Sequence, residues 1–296
     1  MSNEDLQAYL AQHYPDTDNK LLAEKLGITE NKLRKLASRY GIKKSDSYKK
    51  ELHKKLMQAK EEKYLNNLPD LELNSYELNI IVGSLMGDGC LSFAPRSRQA
   101  FYREHFAPSQ RDYRVWKARQ LKGLGFKISK DNHLRSPSLP VLTRLYNIFY
   151  INNRKCLTPE NIKLLTHPVG LACLFMDDGS LVINYSRKKD GFYIFPRLTF
   201  YTFAFTAQEN DLLRQHLEKI FGLTLRLKPF PYGHGYGLDS GRQATIKQLI
   251  ALIKPYTDMI PSKAKRLDIT RRLLAKDAEL RRRFGANCQN TIADFD

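Results

Sequence analysis

Two strongly apolar runs, each closed by an acid and a glycine, set the pattern of most of the chain. Residues 81–91 read IVGSLMGDGCL and residues 171–181 read LACLFMDDGSL, which places Asp88 and Asp178 in register, 90 residues apart. Runs this apolar predict buried helices rather than surface ones, the first starting near Tyr76 and each stopping at its aspartate. The same order of patterns then appears twice. After the first run come short alternating segments near Leu91–Phe93 and Tyr102–Ala107, an amphipathic helix RDYRVWKARQLKGLG, segments near Phe126–Ser129 and His133–Arg135, and a helix LPVLTRLYNIFY. After the second come Leu181–Tyr185, Arg197–Phe205, a helix TAQENDLLRQHLEKIFG, Thr224–Lys228, Tyr236–Asp239 and a helix QATIKQLIALIKPY. Each half reads αββαββα, an α+β class with two pseudo-symmetric halves.

Alternation along the strands assigns their faces. Phe126 and Ile128 oppose Lys127 and Ser129, and Leu225 and Leu227 oppose Thr224, Arg226 and Lys228. One face therefore rests on helices and the other looks outward. That outward face is cationic and polar, and His133, Arg135, Arg96, Arg98, Arg103, Arg197 and Tyr201 extend it. Solvent exposure would explain any one strand. Its recurrence in both halves points to duplex DNA, whose major groove admits a two-stranded ribbon.

The first residues follow another period. In DNKLLAEKLGITENKLRKLASRYGIKK, residues 18–44, Leu21, Leu22, Leu26, Leu33, Leu36 and Ala37 recur at helical spacing. Gly27 suits the left-handed turn between two short helices and Thr29 suits an N-cap. The stretch resembles the helix-turn-helix units of bacterial DNA-binding proteins, with Glu30, Asn31, Lys32, Arg34, Lys35, Ser38 and Arg39 on the polar face. The plainer reading is a helical hairpin with a solvated basic face. The expected domains are a helix-turn-helix unit over 1–45, a basic helical linker over 46–74, a first half over 75–165, a second half with a basic terminal helix over 166–285, and a frayed tail over 286–296.

Charge strengthens the nucleic-acid reading. The net charge is +18 over 296 residues. Residues 1–70 carry 14 basic against 11 acidic side chains, +3, and the remainder 35 against 20, +15. The excess follows the repeated halves and favours a polyanionic partner. Cys90, Cys156, Cys173 and Cys288 lack zinc-ligand spacing, and Cys90 and Cys173, in or beside the apolar runs, read as buried free thiols in a reducing cytosol. The start MSNEDLQAYL is unlike a signal peptide, and no apolar run approaches a membrane span of about 20 residues. The expected location is cytoplasmic, at the nucleoid, or an organellar matrix, without secretion.

The acids gain meaning from what precedes them. Gly83, Ser84 and Gly87 in the first run, and Ala172 and Cys173 in the second, would let two helices approach closely. Asp88 and Asp178 would then lie side by side at helix C-termini, whose partial negative charge attracts cations. With Gly87 and Asp177 beside them they would make a hard oxygen site for Mg²⁺, with Mn²⁺ as a substitute. A lone Asp-Gly at a helix end is ordinarily a cap or turn; the matched pair argues for more.

IVGSLMGDG and LACLFMDDG resemble the signature of the LAGLIDADG homing endonucleases, and FMDDG resembles the single-chain, intron-encoded members. The resemblance covers about residues 75–267. It implies motif helices at a pseudo-dyad interface, β-sheets forming a DNA-binding saddle, and cleavage of both strands across the minor groove with Mg²⁺ by a monomer. It also implies basic residues near the scissile phosphates. Lys155, within NNRKCLTP, takes one such place. The second falls within IPSKAKRL, on Arg266 without gaps, with Lys265 or Lys263 as substitutes. Arginine can hold a phosphate there but not shuttle a proton. Two other readings stand beside this one: a non-cleaving DNA-binding regulator, and an intron maturase with RNA as its partner.

Some residues carry plainer expectations. Trp116, Tyr113 and Leu121 read as core, and His105, His133, His167, His216 and His234 lack ligand spacing. PFPYGHGYG reads as a hairpin tip, and AKRLDITRRLLAKDAELRRRF as a basic terminal helix.

Overall fold

The structure is a computed structural model that describes residues 2–66, 71–231, 235–285 and 289–295. The end of the expected linker (67–70), the middle of the hairpin tip with His234, Cys288 and part of the expected tail lie outside the described residues. The chain divides into two compact units, residues 1–69 and 70–296. The boundary expected at 45/46 runs inside the first unit, because the helix starting at Asp46 belongs to it.

The first unit contains α1 (Asn3–His13), α2 (Asn19–Lys25), α3 (Glu30–Arg39) and α4 (Asp46–Asn66). Leu10, Tyr14, Leu22, Ala23, Leu33 and Ala37 form its own small core. Gly27 takes φ +63° between α2 and α3, and the Thr29 side chain caps α3 by accepting from the Lys32 N–H. Sequence reading missed α1, which a Ser2/Asp5 capping box opens.

The second unit holds both halves. The first runs through α5 (Ser75–Leu85), β1 (Cys90–Phe93), β2 (Ala100–His105), α6 (Arg111–Gln120), β3 (Lys127–Ile128), β4 (His133–Arg135) and α7 (Pro140–Phe149). A hairpin, β5 (Tyr150–Ile151) and β6 (Arg154–Lys155), and the short α8 (Pro159–Ile162) follow. The second half runs through α9 (Pro168–Asp178), β7 (Gly179–Arg187), β8 (Phe192–Phe200), α10 (Ala207–Phe221), β9 (Arg226–Phe230), β10 (Gly235–Ser240) and α11 (Gln243–Thr257). The chain continues as α12 (Pro261–Leu267), α13 (Ile269–Phe284) and β11 (Thr291–Ile292). The first sheet has the order β1-β2-β4-β3, and the second repeats it as β7-β8-β10-β9, with β11 added alongside β8. One core runs through both halves, and Tyr113, Trp116 and Leu121 lie in it as expected.

Several expected boundaries move. The strand expected over Arg197–Phe205 spans Phe192–Phe200. Residues after Phe200 turn because the Asn210 amide donates to the carbonyls of Thr202, Phe205 and Thr206 at 3.2, 3.0 and 3.0 Å. The strand expected to reach Ala107 stops at His105. Asp88 sits in the turn after α5 rather than on it, since the Gly87 and Gly89 N–H groups both fold back to the Ser84 carbonyl.

The halves meet where α5 packs on α9. A Cβ added to Gly83 would lie 2.1 Å from the Gly170 carbonyl oxygen, and one added to Gly87 would lie 2.6 Å from the Asp177 Cβ. The close approach is at Gly170, which the sequence reading passed over. Asn79 closes the far end, its side-chain carbonyl accepting from the Thr166 and His167 N–H groups at 2.9 Å each.

Gly83→Ala is expected to destabilise the protein by about 1–3 kcal/mol through overpacking. Urea unfolding of the full chain checks this; an unchanged midpoint would show that the helices can separate without loss.

Candidate active site and nucleic-acid interface

Packing Gly83 on Gly170 brings the ends of α5 and α9 together, and with them a group of carboxylates. One oxygen each from Asp88, Glu104 and Asp177 can be chosen so that all lie within 4.8 Å of one another. Asp178 ends α9 next to this group. Glu104 was not singled out by sequence reading. It stands at a core-facing position of β2 and is fully buried, and a charged residue in an apolar phase of a strand was the available signal.

Two equally buried cations from α6 balance these acids. Arg114 lies 2.7 Å from Asp88, 2.6 Å from Glu104 and 3.5 Å from Asp177. Lys117 lies 3.0 Å from both Glu104 and Asp177. Both sit on the core side of an amphipathic helix, and acids meet them there. Burial alone would raise Glu104, but Lys117 and Arg114 outweigh it and hold the carboxyl below its ordinary value. For Asp177 burial prevails and the carboxyl is held up. Its side chain, expected as a metal donor, is committed to Lys117 and Arg114.

Asp178 differs. Among the described residues its carboxylate accepts no hydrogen bond and makes no ion pair within 4 Å. Burial, then the neighbouring Asp177 and Asp88, pushes it up to about 7. It borders an open cavity of about 430 Å³ lined by Asp177, Leu181, Tyr201, Arg266 and Arg272 among others. Asp88, Asp177 and Asp178 offer hard carboxylate oxygens at or just past helix C-termini, a donor chemistry that suits a divalent cation.

Each motif helix end also receives a lysine. Lys155 donates to the Gly87 and Gly89 carbonyls, at 2.8 and 3.0 Å, on either side of Asp88. It is delivered by the β5–β6 hairpin, whose turn residues Asn152 and Asn153 have φ of 50° and 62°. Lys263 of α12 donates to the Met176 carbonyl at 2.5 Å. Burial lowers Lys155, and burial followed by nearby Arg266 lowers Lys263 to about 8. Lys265 and Arg266 are exposed on the same helix, so Lys263 is the one that reaches the helix end.

The expected DNA-facing residues fall into distinct settings. Arg103, Lys127 and Arg135 lie exposed on the outer face of the first sheet. Arg96 and Arg98 lie in the β1–β2 turn rather than on a strand, and Ser129 caps the β3–β4 turn by accepting from the His133 N–H. The rings of His105 and His133 lie 4.8 Å apart. In the second sheet Arg197 is ion-paired with buried Asp239, and Arg226 lies 3.6 Å from the same carboxylate. Lys228 sits over the Phe230 ring, and Tyr201 packs edge-on against Phe203 and Phe230. On α3 of the first unit, Lys32, Arg34, Lys35 and Arg39 are exposed, and Arg34 pairs with Glu30 at 3.2 Å. His167 and His216 are structural: the first caps α9 and the second bonds the Leu165 carbonyl. Among the described residues no helix is long and apolar enough to cross a membrane.

Comparison with known proteins agrees with this geometry. The sequence profile of the LAGLIDADG DNA endonuclease family matches residues 78–230. The chain is similar to part of Protein RecA of Mycolicibacterium chitae, 30% identical over 166 residues, covering 53% of this chain and 38% of that protein. It is also similar to Protein RecA of Mycobacterium shimoidei, 29% identical over 200 residues, covering 64% of this chain and 46% of that one. The chain thus spans less than half the length of these curated relatives. Among solved structures, the homing endonuclease I-WcaI bound to its DNA recognition sequence matches with a TM-score of 0.54 and 17% identity. That match covers 67% of this chain and 88% of that one, and shows a shared fold.

The raised Asp178 carboxyl has a consequence for stability. An unfolded aspartate titrates near 3.8 and the folded one near 7. Between about pH 4 and 7 the folded chain keeps a proton that the unfolded chain has released, so this stabilisation is lost as pH rises through that window. In chelator, Asp178→Asn is expected to be more stable than the parent at pH 8, on the order of 2 kcal/mol, and indistinguishable at pH 4. Thermal melts at the two pH values check this; equal stability at pH 8 would contradict it.

Proposed function

The chain belongs to the LAGLIDADG DNA endonuclease family, and we propose that it is a site-specific double-strand DNA endonuclease dependent on a divalent cation, Mg²⁺ by preference and Mn²⁺ in its place. The observation that carries this reading is the meeting of two motif helix ends through Gly83 and Gly170, with an acid and a buried lysine at each. Both acids come from one chain, so a monomer supplies the whole site.

A divalent cation bound to Asp88 and Asp178 would supply Lewis-acid charge at the scissile phosphate and a more acidic water. The remaining work falls to the chain's own groups. Asp88 and Asp178 place negative charge at two points on the floor between the sheets. Lys155 and Lys263, anchored on carbonyls at the helix ends, stabilise negative charge developing on the phosphate and can exchange a proton with it. The depressed value of Lys263 fits that second role better than Arg266 does, since a guanidinium does not deprotonate. Arg266 and Arg272, on the wall of the cavity beside Asp178, suit phosphate binding.

The outer faces of both sheets supply the long DNA contact, with Arg103, Lys127 and Arg135 as the cations of the first. The exposed basic face of α3 adds a separate duplex contact in the first unit, as helix-turn-helix spacing would have it.

Cleavage-site selection from a randomised duplex library in Mg²⁺ tests the reading. The wild type is expected to yield one enriched target cut on both strands. Asp88→Asn and Asp178→Asn are each expected to lower double-strand cutting by more than about 100-fold, ~2.7 kcal/mol of transition-state stabilisation, with binding retained. Lys263→Met is expected to impair cutting more than Arg266→Met. Duplex binding without nicking in either Mg²⁺ or Mn²⁺ would replace the nuclease with a non-cleaving binder.

A further inference from the structure

Strand register puts the two sheets in one-to-one correspondence. Two residues past Asp88, Cys90 lies opposite Arg103, Arg103 opposite Arg135, and Arg135 opposite Lys127. Two residues past Asp178, Ser180 lies opposite Thr199, Thr199 opposite Asp239, and Asp239 opposite Arg226. These are matching rows of the two sheets, exposed at Arg103, Arg135 and Lys127 in the first and buried at Thr199 and Asp239 in the second.

Their chemistry differs. The first row carries three positive charges and no negative one. Arg103, Arg135 and Lys127 are exposed and make no ion pair with a described residue; the Arg103 Nε reaches only the Cys90 sulfur, at 3.4 Å. The second row carries one charge of each sign. Asp239 is buried, accepts from the Arg197 Nε at 2.8 Å, and draws Arg226 to 3.6 Å. Beyond it the second face mixes exposed Val182 and the stacked pair Tyr193–Phe195, at 5.3 Å, with Arg197, which lies opposite Val182 and is turned toward Asp239.

Like charges directly opposite one another on neighbouring strands disfavour a sheet. The first row places Arg135 between two other cations, with no acid among the described residues paired to them, which is a local arrangement suited to a polyanion. We propose that the two halves hold the duplex unequally: Arg103, Arg135 and Lys127 give the first half the salt-dependent grip beside the cleavage site, and the second half meets its half-site through a row of no net charge. This rests on the duplex-binding reading above and names the row that carries the electrostatic grip nearest the acids.

Neutralising a phosphate releases counterions, so the slope of log K against log salt counts these contacts at about 0.9 each. The test is fluorescence anisotropy of the full chain with a labelled duplex of about 30 bp and arbitrary sequence, in EDTA over a series of KCl concentrations. Arg103→Gln, Arg135→Gln and Lys127→Gln are each expected to reduce the slope by about 0.9, and Arg226→Gln by less than about 0.3. Equal reductions from both rows, or none from the first, overturn the proposal. A wild type with no affinity for duplex overturns the DNA reading itself. A second measurement needs no DNA affinity: Arg135→Thr is expected to raise the melting temperature of the free protein and to shrink the further rise on adding duplex. A lowered melting temperature in the free protein would count against the proposal.

Discussion

The contact of Gly83 with Gly170 is the constraint on which the second unit depends. With no side chain between them, α5 and α9 come to backbone contact, and their C-terminal ends must share one place. Each end carries orphan carbonyls and a partial negative charge, and the sequence adds aspartates there. A buried site so rich in negative charge would not fold alone. The lysines on the Gly87, Gly89 and Met176 carbonyls, and the Arg114–Lys117 pair against Glu104 and Asp177, are the answer the fold gives. Removing one partner from such a buried group costs about 3–5 kcal/mol because a charge is left unpaired, so these cations are structural before they are anything else.

The compensation is uneven, and this divides the acids by role. Asp177 and Glu104 are neutralised inside the protein. Asp88 shares Arg114 but keeps part of its side chain exposed. Asp178, beside an open cavity, has no side-chain partner among the described residues. A cation arriving from solvent gains most where the protein has offset the charge least, which singles out Asp178 and then Asp88. Burial first, and then the neighbouring Asp177 and Asp88, raise the Asp178 carboxyl.

Much of this was legible in the sequence, for physical reasons. The motif helices were visible because two apolar runs, each ending in Asp-Gly, recur 90 residues apart with the same order of patterns after each. Strand alternation placed Lys127, Arg135 and Arg226 on the outer face, where they are. What escaped had no periodic signal. Gly170 matters only for what it faces in space, and α9 alone does not reveal that. Glu104, Arg114 and Lys117 look like ordinary surface charges until β2 and α6 are packed together. The turn after Phe200 depends on one amide, Asn210, reaching back to three carbonyls. The aromatic spacing there carried the expected strand too far. The ungapped alignment favoured Arg266 because it counts residues, whereas α12 presents Lys263 to the helix end and leaves Arg266 on the rim.

The register correspondence also shows what the two halves share and what they do not. Glu104 lies one position beyond Arg103 on β2, and the matching position on β8 is Phe200, one beyond Thr199. Counting onward by the same interval, Arg114 and Lys117 match Asn210 and Leu213. The first half thus buries an ion network where the second buries an aromatic ring, a leucine and an amide that ties down its own turn. Sheet order, motif helices and acids are common to both because the backbone geometry of the interface demands them of each half equally. The side chains one layer away are free of that demand. An asymmetric duplex can therefore be met by two halves that agree in where they put an acid and differ in how they hold the strand beside it.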